Sequence, residues 1–271
     1  MLNSRIPRRI IQTGKSFNLS LQSKAAVANV RLLNPDFEYL FFDDNRVEQF
    51  IDERFPEYRG VFNSFPFIIS RYDFFRYLAI YHFGGFYFDL DVFLASGLEE
   101  LLDFSCVFPF EELTMSRFLR REYGMDWEIG NYAFGAAPEH PFIQAIIKNC
   151  VRAQKDPEWA QMTMSDIPRM FREEYYVLNT TGPGLVSRTL AEYADAASHV
   201  KILFPEDVCD CTNWHRFGAF GIHLQEGTWR NRDGFLRRRF LSLWESRRRK
   251  KLLKQSLKLG ESRSLEWRRK A

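Results

Sequence analysis

The chain has 271 residues, 45% hydrophobic and 27% charged, a balance that excludes a disordered or collagen-like protein and suits a globular one with a sizeable core. No apolar run reaches the roughly 18 residues of a bilayer-spanning helix, the first residues lack a signal-peptide apolar stretch, and Cys106, Cys150, Cys209 and Cys211 are too scattered for a disulfide framework. The net charge of +3 hides a split: from Arg237 onward 14 Lys and Arg stand against 3 Asp and Glu, a net of +11, which leaves −8 on the remainder. An acidic body with a basic tail is expected, divided as residues 1–235 and 236–271, with reduced thiols and a cytoplasmic location.

In chain order, residues 8–12 form a first predicted strand after Pro7, and residues 19–33 a helix stopped by Asn34-Pro35. Residues 38–42 give a second strand and 47–55 a helix ended near Pro56. Ser70 is a candidate N-cap, with Asp73 at the third helical position, for a helix through Tyr81. Gly84-Gly85 breaks it, and residues 86–91 follow as a buried strand. Residues 106–110 and 131–137 read as later strands, 140–153 and 184–193 as helices. Strands alternating with helices predict an α/β fold: a mainly parallel central sheet flanked by helices.

Two nucleotide motifs fail. Gly14-Lys15-Ser16 resembles the end of a phosphate-binding loop, but Arg9 stands where its first glycine belongs, and no Gly-x-Gly-x-x-Gly follows a predicted strand. The strongest chemical signal is Asp89-Leu90-Asp91. On a strand, positions i and i+2 share a face with Cα atoms roughly 6–7 Å apart. Two hard oxygen donors at the end of an apolar run suit Mg²⁺ or Mn²⁺ together with phosphate oxygens. One helix upstream, Asp73 and Arg76 are neighbours on one helical face. They form either a weak surface ion pair or a grip on sugar hydroxyls and phosphate oxygens. The glycine pair aims both elements at one crevice, which in an open α/β sheet lies beyond the carboxyl ends of the strands.

These residues, taken with their surroundings, resemble glycosyltransferases carrying a DXD sugar-binding region, of the family 32 type. That group includes yeast initiating α-1,6-mannosyltransferases and capsular or lipopolysaccharide transferases, and clostridial glucosylating toxins share its catalytic block. The resemblance runs through residues 6–13, 34–40, 70–91, 131–141 and 181–184 and through His223 with Gly227 and Trp229. It implies a GT-A fold and a hexosyltransferase that moves a sugar from a UDP- or GDP-linked donor to a hydroxyl acceptor, in surface polysaccharide or lipopolysaccharide synthesis, with retention at the anomeric carbon.

On this resemblance Asp89 touches the donor ribose or the metal, Asp91 ligates Mn²⁺ or Mg²⁺, and His223 completes the metal site. Gln12 and Thr13 lie near base and ribose. Arg71, Asp73, Arg76 and Tyr87 bind the donor, and Trp229 closes over the diphosphate or packs in the core. Glu128 and Asn131 are the nearest candidates for a group facing the anomeric carbon, and stretches 111–128 and 156–174 build the acceptor face. Two alternatives are a non-catalytic binder of sugar nucleotides or glycans and, from Asp89-Leu90-Asp91, a haloacid-dehalogenase-like phosphatase, although Phe93 stands where that motif wants Thr or Val.

In the tail, Leu236, Phe240, Leu243, Trp244, Leu252, Leu253 and Leu257 interleave with Arg237–Arg239 and Arg247–Lys251, the pattern of a basic amphipathic helix. It reads as a solvated helix packed on the body by Phe240 and Trp244, or as an attachment to the anionic inner face of a membrane. No nucleic-acid reading motif accompanies the charge.

Overall fold

A computed structural model of the protein describes residues 5–193, 199–225 and 235–258. Gly227 and Trp229, expected at the donor site, lie outside the described residues. The first half runs β1 (Arg9–Thr13), α1 (Leu21–Leu33), β2 (Glu38–Phe42), α2 (Asp44–Arg54), α3 (Arg59–Ser64), α4 (Ile68–Phe83), β3 (Gly85–Phe88), β4 (Val92–Leu94) and β5 (Cys106–Leu113). It continues with α5 (Arg117–Tyr123), β6 (Trp127–Ile129), β7 (Ala133–Ala136), α6 (Pro141–Lys155), α7 (Pro157–Gln161), α8 (Arg172–Thr180), α9 (Pro183–Glu192), β8 (Lys201–Leu203), β9 (Gly221–His223) and α10 (Phe235–Lys258).

Among the described residues the strands form a seven-stranded sheet, ordered β2-β1-β3-β7-β5-β6 with β8 on β5, and a two-stranded sheet, β4-β9. The pairings run β1, β2, β3, β5 and β8 one way and β6 and β7 the other. Helices pack against this sheet, the α/β arrangement that the GT-A expectation called for. The sheet is mixed rather than mainly parallel: β7 is inserted antiparallel between β3 and β5, and β6 pairs antiparallel at the edge.

Side chains alternate across a strand, and this splits the apolar runs between two cores. Ile11 and Tyr87 join Phe74, Leu78, Phe108 and Phe134 on the face covered by α4 and α6. Ile10, Phe86 and Phe88 point to the other face with Val30, Val92 and Phe217. A third cluster of Met115, Met164, Ile167, Phe171, Tyr175 and Leu241 sits apart. Leu241 belongs to α10, so this part of the basic tail is built onto the body. Trp244 packs there on Phe171, as expected, but Phe240 is exposed and Leu241 takes its place.

Local signals hold where they are strong. Ser20 caps α1 by accepting from the Ser23 amide, and Asp43 caps α2 through the Arg46 amide. Ser70 does not cap α4. That helix starts three residues earlier with Phe67 as its cap residue and no side-chain cap bond, and Ser70 is fully buried within it. Gly84 and Gly85 have φ of 64° and 102°, left-handed values that glycine tolerates best. A Cβ on Gly85 would stand 2.6 Å from the Arg9 carbonyl oxygen, so the close approach of this turn to β1 also requires glycine.

Candidate active site

The aspartates do not lie on a strand. β3 ends at Phe88, and Asp89-Leu90-Asp91 forms a turn closed by the Val92 amide donating to the Asp89 carbonyl at 3.2 Å. The Asp89 amide donates to the Tyr132 carbonyl at 2.8 Å, which fixes the turn to the chain entering β7. β4 then pairs antiparallel with β9, opposing Val92 to His223, and the Leu224 amide donates to the Asp91 carbonyl at 3.0 Å. This small sheet sets His223 Nε2 3.3 Å from Asp91 Oδ1, while Tyr132 stacks on the imidazole at 4.2 Å between centroids.

Asp89, Asp91 and His223 each offer a ligand atom, all within 4.8 Å of one another. Two carboxylates and an imidazole suit Mn²⁺, and to a lesser degree Mg²⁺, which favours oxygen. Among the described residues His223 Nδ1 is buried without a hydrogen-bond partner, so there the ring is not committed to the structure through both nitrogens. Burial pulls the His223 pKa down, but the hydrogen bond and charge of Asp91, with Asp89 and Glu111 behind it, outweigh that and raise it.

Beneath the turn lies a buried polar network centred on Arg76. Its guanidinium meets Asp73 Oδ1 at 3.0 Å and Asp89 Oδ1 at 3.2 Å, donates to the Asn131 carbonyl at 2.8 Å, and lies over the Tyr87 ring at 4.6 Å. Thr181 Oγ1 donates to Asp73 Oδ2 at 2.9 Å, and Asn131 Nδ2 to Asp73 Oδ1 at 3.2 Å. Asp73 and Arg76 are 4% and 3% exposed, so this is not a surface ion pair. Burial, partly offset by Arg76, holds the Asp73 carboxyl up at about 6. Burial also raises Asp89 against the opposing pull of Arg76.

A cavity of about 780 Å³ opens over these groups, beyond the carboxyl ends of β1 and β3. Thr13, Asp73, Arg76, Asp89, Asp91 and His223 line one side of it. Glu128 and Asn131 line it too, together with Met115, Ser116, Thr163 and Ile167 from the stretches expected on the acceptor face. The Asn131 amide is committed to Asp73 and Tyr77. Gln12 and Tyr87 lie under the floor: Gln12 is fully buried and donates at 3.4 Å to the carbonyls of Phe88 and Asp89, and the Tyr87 hydroxyl joins Thr13 to Asp89, 3.0 Å from each. Arg71 stands outside, donating to the Asn63 carbonyl at 3.2 Å.

Several lining groups escape sequence reasoning. Glu111 and Glu112 extend β5 into the cavity, His215 Nδ1 lies 3.1 Å from Glu111, and α10 contributes Glu245, Arg248 and Arg249. The glutamates fall inside the 111–128 stretch expected on the acceptor face, but nothing in the sequence singles them out within it. Thr181 lies within the 181–184 stretch of the resemblance, yet nothing local predicts its bond to Asp73.

Glu128 opposes Glu112 across β5 and β6. Burial first, and then the Glu112 charge, push its carboxyl up to about 7. A carboxyl raised in the folded state keeps a proton that the unfolded chain has released. Its stabilising effect is full below about pH 4.5 and fades as pH rises through about 7. Glu128→Gln should flatten that part of the stability decline, measured by urea unfolding at a series of pH values. An unchanged slope would mean that Glu128 titrates as a solvated carboxyl.

The model of the family described as "Glycosyltransferase sugar-binding region containing DXD motif" matches residues 21–108, the span holding Asp73, Arg76, Asp89 and Asp91. Over that span the chain is similar to the DXD-type glycosyltransferases. It is 26% identical over 237 residues to inositol phosphoceramide mannosyltransferase 2 of Schizosaccharomyces pombe, covering 84% of this chain and 59% of that one. It is 30% identical over 207 residues to mannosyl phosphorylinositol ceramide synthase CSH1 of Saccharomyces cerevisiae, covering 74% and 48%. The chain therefore spans about half the length of these curated relatives. Among solved structures, PaToxG glycosyltransferase is similar with a TM-score of 0.48 at 15% identity, over 71% of this chain and 70% of that one; at that level the likeness carries no argument, and the fold rests on the sheet order itself. The DXD turn, with His223 brought to it by β9, is the feature on which a functional reading can be built.

Proposed function

We propose that the protein is a metal-dependent GT-A hexosyltransferase that moves a sugar, with retention, from a nucleoside-diphosphate donor to a hydroxyl of a lipid-linked acceptor. The observation that carries this reading is the convergence of Asp89, Asp91 and His223 at the carboxyl ends of β1 and β3, with both aspartates inside the segment that matches the DXD family. A divalent cation held by Asp91 and His223, with Asp89 beside them, would supply Lewis-acid stabilisation to a departing diphosphate. Arg76 holds Asp89 in place and Tyr87 braces it from below, so the turn keeps its form as charge changes.

Asp73 faces the cavity from a saturated hydrogen-bond shell and presents a rigid polar floor to a donor sugar. To Glu128, which lines the cavity, we assign the role of facing the reacting carbon or an incoming hydroxyl. For either role it must be ionised, so the rate should climb as pH rises through about 7. The names of the fungal relatives point to a phosphoinositol-bearing ceramide as their acceptor, and a glycolipid acceptor is the reading we carry to this chain.

The test is a panel of UDP- and GDP-linked hexoses incubated with the full chain and Mn²⁺, without acceptor. Slow release of nucleoside diphosphate from one donor, abolished by chelation, is expected. Folded protein that hydrolyses none of them, or one of them equally well in chelator, would overturn the reading.

A further inference from the structure

We infer that α10 is an interfacial helix that seats the cavity against an anionic membrane surface. α10 has 24 residues, a rod about 36 Å long at 1.5 Å per residue. One face is fixed to the body. Leu241 is 8% exposed in the third core, and Trp244 packs on Phe171 and Tyr175 at 5.3 and 5.9 Å between centroids. The Tyr175 hydroxyl donates to Glu245 at 2.9 Å. Arg248 donates to the Met115 carbonyl at 2.6 Å and to Asp166 at 2.8 Å, and Arg249 reaches Glu112 at 2.9 Å.

The other face has no such partners among the described residues. At about 100° per residue, Phe240, Leu243, Arg247, Lys250, Lys251 and Lys254 fall within an arc of about 100°. Phe240 and Leu243 are 59% and 48% exposed, and the four cations are exposed as well. Arg239, also exposed, lies at the edge of the arc. Between positions 239 and 254 the single acidic residue is Glu245, and it is turned inward to Tyr175. A helix that merely faced water would gain nothing from two large apolar side chains set among cations. At a lipid surface the rings and branches enter the acyl boundary, while long basic side chains reach anionic headgroups. No described helix is long and apolar enough to cross a membrane.

The docked face of the same helix lines the catalytic cavity through Glu245, Arg248 and Arg249. One helix diameter, about 10 Å, then separates the lipid surface from the cavity wall. A headgroup lifted only slightly from the bilayer can enter. This delivery step rests on the glycosyltransferase reading above; the surface itself does not.

The experiment is co-flotation of the full chain with phosphatidylcholine vesicles, with and without phosphatidylglycerol, at low and high salt and with no sugar nucleotide present. Two variants accompany it: Phe240→Ser with Leu243→Ser, and Arg247, Lys250, Lys251 and Lys254 all changed to Gln. Neither set touches the cavity, and both should keep the wild-type melting temperature. The wild type should float only with anionic vesicles and detach at high salt, and each variant should bind about tenfold more weakly. Equal flotation with neutral vesicles, or wild-type flotation by both variants, would overturn the inference. So would loss in the charge variant alone with a polynucleotide competing as well as the vesicles, which would make α10 a polyanion site. Donor hydrolysis measured in parallel separates the two readings, because vesicle binding needs no turnover.

Discussion

Asp91→Ala should lower metal-dependent donor hydrolysis by on the order of 10²-fold or more while leaving the protein folded. The side chain is 16% exposed at the lip of the cavity and approaches His223 at 3.3 Å. Its loss breaks that bond but also removes the negative charge beside Asp89, so the stability change should stay within about 1 kcal/mol. Hydrolysis at saturating donor, a metal titration and a thermal melt give the three readouts. A folded Asp91→Ala protein with full activity would remove the DXD turn from the chemistry.

Arg76→Met should do the opposite and strike stability first. The guanidinium is the cation shared by Asp73 and Asp89, all three in a region where Asp73 stays raised at about 6 even with its partner present. Breaking a buried pair from one side leaves an uncompensated charge and costs about 3–5 kcal/mol. Urea unfolding near neutral pH measures it, and a loss below about 1 kcal/mol would mean that water reaches the network. Activity should fall as well, because Asp89 then loses the group that orients it.

Elements with strong local periodicity are legible in the sequence. The second strand has the predicted bounds, and the helix before Gly84-Gly85 and the glycine turn are found where sterics require them. Ser70 shows the limit: its residue type suits a cap, yet burial of the helix face against the core decides where α4 begins, and the chain turns helical at Ile68. The three-residue strands β4, β6, β8 and β9 are too short to carry a period, and β7 gains its antiparallel place only from its neighbours. In the candidate site, the carboxylates of residues 89 and 91 stand out as a pattern, and His223 enters through the family resemblance alone. Glu111, Glu112 and Thr181 converge through tertiary packing that no spacing rule encodes. The inward side of α10 is hidden by the charge that dominates its composition, since Arg248 and Arg249 look the same in sequence as the cations that face out.

The pairing of β4 with β9 also sets an order of events in folding. Position 91 is available early in synthesis, whereas position 223 is made only after α4 to α9. Until then the turn holds two carboxylates with no imidazole between them and solvent. Joining segments so far apart adds little further entropy per added residue, but it slows the closure. Any cation that binds the closed trio better than the open pair favours the closed state by mass action. A cation held by the trio would thus act as a clasp between residues 89–91 and the far end of the body, and a chain that stops before β9 would have no clasp to close.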